Sequence, residues 1–223
     1  MSATAKPVIR LFYSPGACSL APHIALEEAG ATFTPMRIDF TASEQRSPAY
    51  LQINPKGRVP ALVINDWALT ENPAILQFVA QSYPDAKLWP TDLREQAKCL
   101  EWMAWLSSGV HVTYAHVRRA ERYATSELAV ADVRAKGTIS TREIWGDVEK
   151  RMAALAESGP WIAGDQFTVV DGYAFVFWMW GTGQHLGYNM ANDFPSWTAH
   201  AKRVAARPAV QRVLAREGLV AKV

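Results

Sequence analysis

Two cysteines, Cys18 and Cys99, are all the thiols this 223-residue chain has. They lie far apart with no pairing pattern, and neither belongs to a Cys-x-x-Cys or to a zinc-type cluster, so no disulfide framework and no metal site is expected. Such sparing use of cysteine fits a reducing cytoplasm. Long apolar runs are missing too. None reaches membrane-spanning length, and the residues from Met1 to Pro7 lack the apolar core of a secretory signal, so no membrane association is expected and the chain is placed in the cytoplasm. A charge excess is also absent: the net charge is +2 with a pI near 8.5, and the densest basic cluster, Arg118, Arg119 and Arg122, is interrupted by Glu121. Nucleic-acid binding gets no support from that pattern. There are no repeats and no low-complexity tracts. The remaining composition, 49% hydrophobic and 20% charged, is that of a globular protein able to bury one large core or two small ones.

The β-branched and aromatic run from Val8 to Tyr13 predicts a strand. A Pro-Gly turn, Cys18 and a helix stopped by Gly30 follow, and then a second strand over Thr32 to Ile38. This β-α-β unit predicts a parallel pair with a right-handed crossover. Ser43 to Ile53 is a short, weakly patterned helix and Asn54-Pro55-Lys56-Gly57 a loop. Ala61 to Ile64 and Trp67 to Thr70 flank Asn65-Asp66, a tight hairpin turn without the usual glycine. Asn72 to Ser82 closes this part as a helix with Ile75, Leu76, Phe78 and Val79 on its apolar face.

Residues 1–83 therefore read β-α-β-α-β-β-α, residues 84–90 with two prolines read as a linker, and residues 91–223 read as all helical, an α+β chain. In the helical part, Leu93 to Tyr123 carries a Trp-rich stripe, and Val130 to Glu157 is amphipathic and stopped by Ser158-Gly159-Pro160. Thr168-x-x-Asp171 is a capping box opening an aromatic helix to about Gln184, although Gly172 precludes a hydrophobic staple with Phe167. Phe194 to Arg207 and Ala209 to Glu217, divided by Pro208, complete it.

The stretch YSPGACSLAPHIALEEAG puts Cys18 at a strand-to-helix corner. Free amide N–H groups and the positive end of the helix dipole lie there and favour a thiolate, so a depressed pKa and reactivity at neutral pH are expected. A lone cysteine also packs as a small buried hydrophobe, and the local residues fit both readings.

This order of elements resembles the cytosolic glutathione transferases, whose first domain is thioredoxin-like with a mixed sheet. YSPGACSLAPHIALEE, INPKGRVPAL and ALTENPAILQFVA match the signature segments of the bacterial beta class, in which the cysteine of Pro-Gly-x-Cys-Ser faces glutathione. WIAGDQFTVVDGY looks like the family's capping-box segment, and ARPAVQRVLAREGL resembles its C-terminal helix. The resemblance spans nearly the whole chain in order, and it implies a detoxifying transferase that joins glutathione to small hydrophobic electrophiles and forms a homodimer.

Residue by residue, the resemblance makes Cys18 the contact to the glutathione sulfur, with Tyr13 ranked below it. It makes Val59-Pro60 a cis bond, where residues alone suggest an ordinary loop proline. Val59 would then pair with the cysteinyl unit as a short strand. Glu71 would take the γ-glutamyl ammonium and Asn72, an N-cap where the family usually has Ser, its carboxylate; simple capping is the alternative. Lys56 and Arg58 either meet the glycyl carboxylate or are solvated. In WMAWLSSGVHVTY, His111 occupies a family site position, while Ala104 and Val112 stand where the beta class has asparagine and lysine. Tyr114, Trp178 and Trp180 line the electrophile pocket or belong to the core. Two other activities stay open: Ser19 and Ala21 replace any resolving cysteine, which fits a monothiol redox enzyme reducing disulfides or dehalogenating, and the altered wall residues fit a non-catalytic binding protein.

Overall fold

The computed structural model describes residues 7–155 and 159–223, so the segment before Pro7, the expected helix end at Glu157 and the Ser158 stop lie outside the described residues. The chain forms two compact units, one of residues 7–89 with 208–220 and one of residues 90–207 with 221–223.

The first unit contains β1 (Ile9–Tyr13), α1 (Leu20–Glu28), β2 (Thr34–Arg37), α2 (Pro48–Ile53), β3 (Ala61–Ile64), β4 (Trp67–Thr70) and α3 (Asn72–Ser82). The sheet order is β2-β1-β3-β4, with β1 parallel to β2 and antiparallel to β3, which is the mixed thioredoxin-like sheet. Central β1 is apolar almost throughout, and Leu11 lies opposite Leu62 with both fully buried. Asn65 replaces the hairpin glycine by adopting φ +55° while its Oδ1 accepts from the Val8 N–H at 3.0 Å. Asparagine tolerates the left-handed conformation better than most residues, and here its side chain is anchored to Val8, distant in sequence. β2 is shorter than Thr32 to Ile38 and stays on the edge, where Pro35 can sit without a backbone donor. The expected helix from Ser43 begins only at Pro48, after a 3-10 turn at Glu44–Arg46, because Ser47 Oγ caps there by accepting from the Tyr50 N–H.

The second unit is built from α4 (Leu93–Trp105), α5 (His111–Arg118), α6 (Glu127–Leu155), α7 (Val169–Gly181), α8 (Met190–Asp193) and α9 (Pro195–Ala205). The single helix expected over Leu93 to Tyr123 is interrupted by a π-helical turn at Leu106–Val110 and ends in a 3-10 turn at Ala120–Arg122. Its core is aromatic, with Trp145, Trp178 and Trp197 fully buried. α5 and α6 approach so closely that a β-carbon at Gly137 would lie 2.7 Å from His116 Cβ, which only glycine avoids. Asp171 anchors α7: its carboxylate accepts from the Thr168 N–H at 2.7 Å and the Ile162 N–H at 2.9 Å, and lies 2.8 Å from His200 Nε2. Among the described residues no helix is long and apolar enough to cross a membrane.

The last helix, α10 (Pro208–Glu217), belongs to the first unit. Arg212 and Arg216 both reach Glu27 of α1, at 2.6 and 3.1 Å. Beneath them the stripe Val210, Val213, Leu214 and Glu217 is buried at the i, i+3, i+4, i+7 spacing of one helix face.

Candidate active site

At the end of β1 the chain leaves the sheet and folds back through Ser14 to Ser19. The Ser14 N–H donates to Ser19 Oγ at 3.1 Å, and the Ser19 hydroxyl returns a hydrogen bond to the Ser14 carbonyl. Gly16 takes φ +69°, and its N–H donates to Glu217 Oε2 at 3.0 Å. Glu217 Oε1 lies 2.7 Å from His23 Nδ1, with both side chains wholly buried. Arg216 Nη1 sits 3.2 Å from His23 Nε2. Because guanidinium only donates, Nε2 is the acceptor and Nδ1–H donates to Glu217. The loop bearing the cysteine is thus tied to the C-terminal helix through one buried carboxylate.

Cys18 retains partial exposure, and its thiol donates to the Val59 carbonyl at 3.4 Å. Burial pushes this thiol up to about 11, outweighing a hydrogen bond from the Asn72 side chain that works in the other direction. The expectation of a depressed pKa is therefore corrected. α1 starts at Leu20, two residues beyond the cysteine, and the group facing the sulfur is a carbonyl, which favours S–H. Cys99 is fully buried and pushed up to about 12. Alkylation of the native protein should accordingly modify Cys18 alone and slowly at pH 7, where roughly one thiol in 10⁴ is ionised, and accelerate about tenfold per pH unit to beyond pH 9. Mass spectrometry after timed alkylation reads this directly; a rate that levels off below pH 9 would contradict it.

Val59-Pro60 is a cis peptide bond. The loop before it is fixed from within: Tyr50 Oη and Asn54 Nδ2 both donate to the Arg58 carbonyl, at 2.7 and 2.6 Å. Arg58 itself is exposed. The Val59 N–H has no acceptor among the described residues, while its carbonyl holds Cys18.

Glu71 closes β4 with φ +73° and ψ 123°, a backbone that costs a non-glycine residue on the order of 1–3 kcal/mol and that recurs at ligand clamps. Its side chain is exposed and pairs with Lys56 Nζ at 2.5 Å; Lys56 also donates to Thr70 Oγ1 at 2.7 Å. Asn72 is not the N-cap. Glu71 holds that position, and Asn72 is the first helical residue with its side chain buried, its Oδ1 lacking a partner. Placed there, it turns inward to Cys18 rather than back onto the helix.

Tyr13 is the buried last residue of β1, packed on the His23 ring at 5.0 Å, with its hydroxyl pushed up by burial and by Glu217. In the second unit the π-helical turn delivers His111 half-buried against Phe177 and Trp180, at 5.8 and 5.0 Å between ring centres. Tyr114 stacks on Trp180 at 4.5 Å. Trp178 is not part of this surface: it is wholly buried and its Nε1–H donates to Thr198 Oγ1 at 3.0 Å. Two residues along a helix differ by about 200°, so Trp178 and Trp180 cannot share a face. Ala104 and Val112 are exposed.

Sequence reasoning passed over His23, Glu217 and the inward role of Asn72. A glutamate on the apolar stripe of α10 was the available signal for Glu217, since a carboxylate buried on such a face needs donors.

The first unit thus brings together a thiol, the Val59 N–H beside a cis proline and a carboxylate at a helix start. The N-terminal domain of glutathione S-transferase matches residues 7–81, and its C-terminal domain matches residues 141–208. A glutathione S-transferase, GstA, of Escherichia coli O157:H7 is 34% identical over 95% of this chain and 100% of its own length. Among solved structures, a glutathione transferase homologue from Sulfitobacter with bound glutathione is 36% identical with a TM-score of 0.87, covering 96% of this chain and 99% of that one. A bacterial beta-class enzyme of Sphingomonas chungbukensis is 35% identical with a TM-score of 0.79, covering 95% and 100%. The chain belongs to the glutathione S-transferase family and resembles its bacterial beta-class members.

Proposed function

We propose that this transferase joins glutathione to small hydrophobic electrophiles, with Cys18 beside the glutathione sulfur. The observation that carries the reading is the convergence on one edge of the first unit of the Cys18 thiol, the unpaired Val59 N–H, the Glu71 carboxylate and the buried Asn72 amide. The cysteinyl backbone of glutathione pairs with Val59 as a short strand. Its ammonium replaces Lys56 at Glu71, and its γ-glutamyl carboxylate takes the amides at the start of α3 near Asn72. Lys56, once released, is available to the glycyl carboxylate.

The raised pKa assigns Cys18 a role. As a neutral thiol it turns its S–H from the Val59 carbonyl to the glutathione sulfur, donates to that thiolate and so favours its ionisation. Glutathione's proton leaves to solvent, its thiolate attacks the electrophilic carbon, and the leaving group departs as an anion. The same protonation state disfavours the monothiol redox reading, which needs Cys18 itself as an attacking thiolate. Tyr13 stays un-ionised. His111, Tyr114 and Trp180 supply the aromatic wall for the electrophile. Homodimer assembly and a cytoplasmic location belong to the same proposal.

The test is turnover of 1-chloro-2,4-dinitrobenzene, followed as thioether formation, beside glutathione affinity by calorimetry. Conjugation is expected, falling about 10–100-fold in Cys18→Ala, since a hydrogen bond to a charged group is worth roughly 1.5–3 kcal/mol. Tight glutathione binding without turnover would instead favour a binding protein, and disulfide reduction that outruns conjugation would favour the redox enzyme.

A further inference from the structure

The aromatic wall of the second unit ends in unpaired positive charge. Tyr114 lies on α5 one turn before Arg118, the last residue of that helix, so the two project from the same face. Arg119 closes the helix, its N–H donating to the Ala115 carbonyl at 2.7 Å. Both arginines are half-buried. Among the described residues neither guanidinium has an ion pair, a hydrogen bond or a ring contact. Glu121, the nearest carboxylate in sequence, is exposed and paired with neither. α6, packed on α5, contributes another cation here: Arg134 Nε donates to the Val117 carbonyl at 3.4 Å.

A half-buried guanidinium ordinarily finds a carboxylate, because desolvating its charge without one costs energy. Two unpaired at the edge of a stacked aromatic pair leave a place for an anion carried by something flat and apolar. We infer that Arg118 and Arg119 recognise a carboxylate on an aromatic ligand whose ring lies along Tyr114 and Trp180. The preferred co-substrates of this transferase are then aromatic acids rather than neutral aromatics, an inference that rests on the conjugation reading for its catalytic meaning but not for the binding itself. The electrostatics of the neighbouring groups agree. Burial and then both arginines push His185, in the turn after α7, below its ordinary value, and both arginines oppose the upward push of burial on Tyr114, so their field spans this end of the wall.

Binding separates the two ideas, because it needs neither glutathione nor Cys18. Calorimetry without glutathione should show 2-naphthoate binding at least tenfold more tightly than 2-naphthamide at low salt. Added salt should erode the difference, and the Arg118→Gln/Arg119→Gln double variant should reduce it to near unity while leaving the amide's affinity in place. Equal affinities in the unmodified protein, or a preference that persists in the double variant, would overturn the inference. Conjugation of the neutral halide measured on the same preparation judges the other reading. Turnover with no carboxylate preference leaves the transferase standing and removes this site, and a carboxylate preference without turnover does the reverse.

Discussion

Replacing Glu217 with alanine should lower the stability of the first unit by about 2–5 kcal/mol, which for a chain of this size is a fall in melting temperature of roughly 5–15 °C. The side chain is wholly buried and accepts from two donors, the Gly16 N–H at 3.0 Å and His23 Nδ1–H at 2.7 Å. Its removal strands the His23 donor inside the protein, which costs about 1–3 kcal/mol, and takes from the part-buried Gly16 N–H a bond to a charged group worth roughly 1.5–3 kcal/mol. The damage also reaches the site, since Gly16 lies two residues before Cys18 and the carboxylate ties their loop to α10. Cys18 should therefore be alkylated faster in Glu217→Ala at the same pH, while Glu217→Gln, which keeps the volume and one acceptor oxygen, should fall between the two. A melting curve and alkylation rate that match the unmodified protein would show that Glu217 does not hold the loop.

What could be read from residues alone was whatever is decided locally. The Asn65-Asp66 hairpin and the Asn72–Ser82 helix appear where short-range signals put them. β2 is shorter than its residue pattern suggested, with Pro35 inside it on the sheet edge, and the helix after Ser43 starts late because Ser47 caps it with Pro48 at its first position. The break in the helix after Trp105 was hidden, because a π-helical turn adds one residue to a helix without altering its composition. The Trp178 assignment was avoidable: helical spacing already set it apart from Trp180.

The site divides in the same way. The grouping of Cys18, Val59, Pro60 and Glu71 came from the resemblance to the beta class, because residues alone suggested only an ordinary loop proline and simple capping. The sign of the Cys18 shift could not be inferred, because it depends on how much surface the surrounding chain covers and on which backbone group meets the sulfur, both tertiary matters. Reasoning from the helix dipole supplied the smaller effect and omitted desolvation. Glu217 was hidden for the same reason, since its donors are more than 190 residues away in sequence.

The proposed binding mode puts the ammonium of glutathione on Glu71, at a site organised around Val59. Glu71 pairs with Lys56 in this structure, so binding as proposed would exchange one cation for another, and the ammonium would gain a charge-assisted hydrogen bond to a carboxylate set by the unusual backbone of Glu71. Glu71→Gln preserves shape and keeps an acceptor oxygen while removing the charge. Calorimetric titration of glutathione into Glu71→Gln and the unmodified protein tests the claim most directly: the account predicts affinity weaker by about 1.5–3 kcal/mol, more than tenfold, with an unaltered melting curve, whereas equal affinities in two equally folded proteins would contradict it.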